Sequence, residues 1–272
     1  ALGYIKYRNK IKLGAASLAA LAILESKNRV DFSSEENKLK TFTFKMWNED
    51  GSMNTFYNSN RNDNQNFYPG ETLLYWSAIY QENEDPEILK KFMKSFRYYK
   101  IWHLNNRNPA FIPWHTQAYY NIWLKTGNEE LKDFIFLMND WLVNTMQKNE
   151  INQYKDTEGR FYSSENRFGP PHSSSTGVYL EGLIDAYKLA KAAGDNQRMD
   201  EYRKSILKGI RSVMQLQFAD EIDTYYISKK DKVLGGIRTT VYDNTIRVDN
   251  VQHNLMGIIK ILKEFQDEDF IL

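Results

Sequence analysis

The stretch GVYLEGLIDAYKLA, Gly177 to Ala190, holds only Glu181, Asp185 and Lys188 as charges and is followed by Ala192-Ala193 and then the turn residues Gly194-Asp195-Asn196. A segment so poor in charge reads as a helix of the inner layer of a helical domain, and Asp195 or Asn196 caps the helix that follows. Four other stretches have the same character: Leu13 to Leu24, Thr72 to Tyr80, Thr116 to Leu124 and Val251 to Leu262. Between them lie segments with a single apolar stripe. Leu89, Phe92, Met93 and Phe96, and again Leu131, Phe134, Ile135 and Met138, follow the i, i+3, i+4, i+7 pattern of an amphipathic outer helix.

Stacking the inner stretches exposes a repeat. Ile79-Tyr80 leads to Glu84-Asp85-Pro86, Ile122-Trp123 to Thr126-Gly127-Asn128, and Ala192-Ala193 to Gly194-Asp195-Asn196. Asp85, Asn128 and Asp195 or Asn196 are the expected N-caps, with Pro86 at a first helical position. The outer helices end in a second echo, Met46-Trp47, Met146-Gln147 and Met214-Gln215, and β-like runs are expected after it at Asp50 to Tyr57, Asp156 to Tyr162 and Asp223 to Ile227.

The connections are unequal. Inner-to-outer turns take a few residues, whereas outer-to-inner returns run over about 48–67, 104–112, 148–174 and 219–246. Antiparallel hairpins put all short turns at one end and all long returns at the other, and long loops on a rigid scaffold favour function. The same end receives the inner-helix starts: Tyr68-Pro69-Gly70-Glu71, Ile112-Pro113-Trp114-His115, Ser173 to Gly177, and Arg247-Val248-Asp249-Asn250 with Gln252-His253 a turn on. Pro69 and Pro113 suit helix starts, and Ser175, Thr176 or Asp249 are expected to cap.

Composition removes several classes. With no Cys there is no disulfide scaffold, no Cys-based zinc ribbon and no thiol nucleophile. The balance of 36 basic against 35 acidic side chains, net +1, gives no general field for nucleic acid or an anionic membrane, a local patch apart. Leu13 to Leu24, preceded by Lys6, Arg8, Lys10 and Lys12, has the outline of a signal peptide but is too short to span a bilayer, and it reads better as a buried helix. The four His residues, at 103, 115, 172 and 253, have no metal-ligand spacing, and the chain has no P-loop, GxGxxG or GxSxG motif. No cofactor and no metal is expected.

On these alternating inner and outer segments the chain resembles the helical toroids, the (α/α) barrels, over nearly its whole length. The terpenoid cyclases among them carry an Asp-rich motif, and the prenyltransferase and lanthionine-synthetase relatives bind zinc through Cys, so neither suits a chain with no Cys and no Asp cluster. The resemblance is therefore to the six-hairpin glycosidase-like superfamily of carbohydrate-active enzymes. It implies an all-α (α/α) toroid with short β-like inserts in the returns, one domain over residues 1–272, and a glycan substrate. Five inner helices instead of six imply a piece of a longer chain, an incomplete ring, or closure by another segment.

Each candidate residue has a functional and a structural reading. Glu71 is a carboxyl group for general acid or base work, or simply an acid favoured in a first helical turn. Asp249 is its partner in a glycosidase pair, or a cap satisfied by His253 four residues on. Glu181 in an apolar helix faces an axial cavity or a buried partner. Arg238 in the Gly235 to Asp243 loop anchors a carboxylate, or pairs with Asp243. Trp114 and Tyr68 offer a sugar platform or fill the core. Gly169-Pro170-Pro171-His172 and the hydroxyl run Ser173 to Thr176 line a sugar site or cap a helix. Arg247, Gln252 and Asp243 complete the substrate-binding candidates. Hydrolysis with Glu71 and Asp249 is the leading expectation. The alternatives are a lyase or epimerase, using His115 or His253 as the base, and a non-catalytic scaffold that binds glycan or protein.

Overall fold

The computed structural model describes residues 2–147, 158–163, 168 and 172–271. The chain divides into two compact units, 1–134 and 135–272.

The first unit opens with a hairpin of β1 (Lys6–Tyr7) and β2 (Lys10–Ile11), antiparallel with Lys6 opposite Ile11 and Tyr7 opposite Lys10. The helices α1 (Leu13–Leu24), α2 (Ser33–Lys45), α3 (Tyr68–Asn83), α4 (Pro86–Asn105) and α5 (Ile112–Thr126) follow. The helix α3 lies between α1 and α5, while α2 backs α1 and α4 backs α3. Polar ties pin the layers. Ser17 and Thr72 share a hydrogen bond of 2.8 Å between α1 and α3, Trp76 donates to Thr43 at 3.0 Å from α3 to α2, and Asn121 donates to Ser77 at 3.1 Å from α5 to α3. Around them Phe42, Tyr75, Trp76, Phe92, Phe96 and Tyr119 are fully enclosed. The expected buried helix is α1, with Leu13, Ala16 and Ala20 sealed, but only one stripe of it is covered: Leu18 and Ala22 face solvent although every side chain is small or apolar.

The second unit contains α7 (Ser173–Ala193), α8 (Asn196–Met214) and α9 (Val248–Glu264), with α7 packed on both α8 and α9. The helix α6 (Glu129–Met146) spans the sequence position where one unit passes into the next. Close approach of α7 and α9 depends on glycine. A Cβ on Gly177 would stand 2.7 Å from the Asn254 backbone nitrogen, and one on Gly257 would meet the Gly177 carbonyl oxygen at 3.3 Å.

All five inner segments are helical, and the expected caps form. Asp85 accepts from the Glu87 N–H at 2.9 Å, Asn128 from Leu131 at 3.2 Å and Asp195 from Arg198 at 3.0 Å. The starts of α3 and α5 carry Pro69 and Pro113 in their first turns. The caps expected at Ser175 and Thr176 do not form, because α7 begins earlier: His172 is its N-cap, and the N–H groups of Ser175 and Thr176 donate to the His172 carbonyl.

The returns differ more from expectation. In the Asp50 to Tyr57 run the β character is confined to single bridges, Trp47 to Met53 and Lys12 to Phe56. Asp223 to Ile227 is a turn, because Asp220 draws the N–H groups of Ile222 and Asp223 onto its own carboxylate at 2.8 and 3.1 Å and curls the chain. The β-like contact of this return lies at its stem, where Gln217 bridges Ile237 and Phe218 exchanges hydrogen bonds with Gly235 and Gly236. Of Asp156 to Tyr162, residues 156 and 157 lie outside the described residues, and the rest forms no strand. Gly169, Pro170 and Pro171 also lie outside them. Among the described residues, no helix is long and apolar enough to cross a membrane, and no three His, Asp or Glu side chains group to hold a metal ion.

Candidate active site at the inner-helix starts

In the first unit, three inner-helix starts meet. Gly14, in the first turn of α1, lies under Glu71 and Tyr68 of α3, so that a Cβ there would fall 2.0 Å from the Glu71 Oε2. Gly70 opens the next contact, since a Cβ on it would stand 2.7 Å from the Trp114 Cβ and 2.8 Å from the His115 Nδ1. Glu71 is 8% exposed and therefore held at a helix start with little water around it. Tyr68 is half-buried, its ring edge-on to Phe56 at 5.9 Å, and Trp114 is buried. The sequence-derived set Tyr68, Glu71, Trp114 and His115 is thus brought together.

His115 occupies a different environment from a working base. It is fully buried, its Nδ1 is 2.8 Å from the Phe111 carbonyl oxygen, and its ring stacks on Phe111 at 3.5 Å between centroids, with Tyr99 and Tyr119 alongside. His103 also stacks on Phe111, at 4.3 Å. Loss of hydration pushes the His115 pKa down to about 3, so the ring is neutral at ordinary pH. This geometry describes a packed core histidine.

In the second unit the starts of α7 and α9 are laced together. Asn254 donates to the Ser173 carbonyl at 3.2 Å, Asn250 donates to Thr239 at 2.8 Å, and the Ser173 N–H donates to the Thr239 carbonyl at 2.9 Å. Below this lacing, Glu181 of α7, 4% exposed, lies 2.8 Å from the Nδ1 of His253 on α9. Glu181 therefore has a partner, the half-buried His253. One turn further along α7, Asp185 receives Lys260 at 2.5 Å and Lys188 at 3.4 Å, while Lys260 also donates to the Glu181 carbonyl at 2.7 Å. The result is a line of acid and base groups through the α7 to α9 contact.

Asp249 stands nearer the solvent. The i, i+4 spacing pointed to His253 as its partner, but its carboxylate is held instead by Arg247, at 2.9 and 2.5 Å. His253 is turned to Glu181. Gln252 is exposed. Arg238 does not pair with Asp243: it donates to the Gln215 carbonyl at 2.9 Å and lies over the Phe218 ring. Asp243 takes the Thr245 N–H at 2.9 Å in a local turn, and these hydrogen bonds with Thr245 hold its carboxyl below the usual range.

Sequence reasoning missed three side chains. Tyr225, Tyr226 and Tyr242 project from the 219–246 return, Tyr226 at 93% exposed, while Thr224 beside them is buried. The Asp220 to Asp223 turn chemistry was the signal that this segment curls and sends its tyrosines outward.

Comparison with solved structures finds a glycoside hydrolase family 76 mannosidase from Bacteroides thetaiotaomicron at a TM-score of 0.50 and 11% sequence identity, covering 92% of this chain and 87% of that one. The likeness shows the fold. That fold is an (α/α) toroid. No family model and no curated protein matches the sequence.

Proposed function

We propose that the chain is a glycoside hydrolase that works on a glycan with groups from its inner-helix starts. The observation that carries this reading is the Glu181 to His253 hydrogen bond of 2.8 Å directly along α9 from Asp249. Glycosidic hydrolysis needs one carboxyl group to give a proton and another to stay ionised. Asp249, with its side chain about one third exposed, is the carboxylate that substrate and water can reach. Glu181 is the enclosed one, and His253 gives it a proton partner. Glu71 is the remaining candidate, a nearly dry carboxyl group at the α3 start. The mannosidase named among the solved structures makes mannans the first substrates to try.

The lyase or epimerase reading loses support from the geometry. Arg238, the proposed carboxylate anchor, is engaged by Gln215, and His115 is enclosed by aromatic rings. The binding-scaffold reading draws on one observation, the outward tyrosines of the 219–246 return, whose rings suit the apolar faces of sugars.

A panel of neutral and acidic polysaccharides, read for new reducing ends, for ultraviolet-absorbing unsaturated products and for solvent oxygen incorporation, tests the reading. Hydrolysis is expected, and Asp249→Asn and Glu181→Gln are each expected to lower turnover by about a hundredfold or more. Undiminished turnover in both variants, with loss in Glu71→Gln, moves the chemistry to the α3 start. Binding without turnover on every substrate leaves the scaffold reading, and unsaturated products overturn hydrolysis.

A further inference from the structure

The stretch from Leu2 to Lys12 holds Lys6, Arg8, Lys10 and Lys12 and no acid, in a chain whose total charge is only +1. None of the four cations has an ion-pair partner among the described residues, unlike Arg29, which is matched to Glu36 and Glu82. The hairpin displays three apolar side chains beside them: Tyr7 is 68% exposed, and Tyr4 and Ile5 are each 44% exposed. Tyr7 is framed by charge, with Lys10 opposite it in the register and the Arg8 guanidinium 5.4 Å from its ring.

The segment is held firmly. The Gly3 N–H donates to the Lys38 carbonyl of α2 at 3.1 Å, the Leu13 N–H to Thr55 at 3.0 Å and the Tyr57 N–H to Ile11 at 3.0 Å, and the Tyr4 ring packs near Phe42 and Tyr57. Between it and the uncovered side of α1 lies an open groove of about 520 Å³, whose walls are Tyr4, Ile5, Ala19, Ala22, Ile23 and Phe32. Among the described residues, the charges at the groove are Glu35 and Lys38, which lie 3.9 Å apart and offset each other.

A cationic edge with aromatic side chains beside it and an apolar trough behind it matches one kind of occupant. We propose that the β1–β2 hairpin and the α1–α2 groove dock on an anionic membrane surface, with Lys6, Arg8, Lys10 and Lys12 against lipid phosphates and the groove receiving part of an acyl chain. Clustered cations gain free energy near anionic lipids, and tyrosine suits the boundary between headgroup and hydrocarbon because its ring is apolar and its tip polar. A soluble polyanion satisfies the cations but leaves Ile5 and the groove in water. The attachment is peripheral, since no described helix can cross a bilayer. It is also independent of the carboxylate chemistry proposed above.

Cosedimentation of the whole chain with phosphatidylcholine vesicles, with and without about one third phosphatidylglycerol, tests this at low and high salt. Binding is expected only with the anionic lipid and is expected to weaken as salt rises. Neutralising Lys6, Arg8, Lys10 and Lys12 together to Gln should lower the partition coefficient at least about twentyfold, from roughly fivefold for each cation at most. Ala22→Glu, a change at an exposed position, should weaken binding while circular dichroism and melting temperature stay unchanged. Equal binding to neutral and anionic vesicles, no binding to either, or undiminished binding by the four-fold Gln variant overturns the proposal. So does capture by heparin with vesicles ignored.

Discussion

His115 and His253 stand near the starts of two inner helices, α5 and α9, and each of those helices is approached by a glycine of the inner helix before it, α3 or α7. Gly70 of α3 lies against Trp114 and His115, and Gly177 of α7 lies against Asn254, the neighbour of His253. From that shared plan the two sites diverge. His115 is sealed among Phe111, Tyr99 and Tyr119 and its ring Nδ1 meets a backbone carbonyl, whereas His253 keeps some exposure and bonds a buried carboxylate. The same residue type at the same structural place is therefore packing material in one unit and part of an acid–base line in the other. What separates them is the company each ring keeps across the helix contact.

Acid titration should produce the largest effect of this difference. The folded-state pKa of His115 is depressed to about 3 while the unfolded ring titrates near the ordinary histidine value of about 6.5, so below that pH the unfolded chain takes up a proton that the folded chain refuses. Stability is thus lost as pH falls from about 6.5 towards 3, by on the order of 4 kcal/mol in the limit, and His103, also pushed down to about 3 by burial, adds to the loss. Melting temperature followed from pH 7 to pH 4 should fall steeply, and His115→Phe should flatten part of that slope. An unchanged slope in His115→Phe breaks the comparison at its root.

A medium effect is expected from the glycines. Gly70→Ala and Gly177→Ala each place a methyl group 2.7 Å from fixed atoms, so each should cost about 1–3 kcal/mol in denaturant unfolding. The sharper outcome concerns activity. Displacing α9 disturbs the Glu181 to His253 bond, so Gly177→Ala should lose turnover beyond its loss of stability. Equal loss per unit of destabilisation in the two variants would make the two helix contacts equivalent.

The helices were readable from the chain because their signals are local. The charge-poor Gly177 to Ala190 and the striped Leu89 to Phe96 each declare their own burial, and Asp85, Asn128 and Asp195 cap within three residues of where they stand. The site was readable only as a set of helix starts. His253 lies four residues from Asp249 and 72 from Glu181, and spacing along one helix cannot report a partner on another. The returns failed for a related reason. The β-like contact at Gln217 and Ile237 depends on a partner strand across a turn, while the local Asp220 turn governs Asp223 to Ile227. The uncovered side of α1 is equally silent in sequence, because Leu18 and Ala22 look the same as Ala16 and Ala20 until neighbours are placed.

The smallest change in stability should come from Asp249, and its smallness is what makes it useful. Arg247 and Asp249 are two residues apart in sequence and their side chains are 45% and 35% exposed, so water already screens both charges and the pair adds little to folding. Asp249→Asn should therefore shift unfolding by no more than about 0.5 kcal/mol, and Arg247→Gln by a similar amount. Glu181 has no such freedom, since burial makes any loss of its partner costly and mixes stability with chemistry in every variant. A hundredfold fall in turnover for Asp249→Asn at unchanged stability would then belong to the reaction itself. If Arg247→Gln reproduces that fall through a raised kcat penalty and not through KM, the arginine works by holding Asp249 in place. If it leaves kcat intact, Asp249 acts from wherever the first turn of α9 puts it.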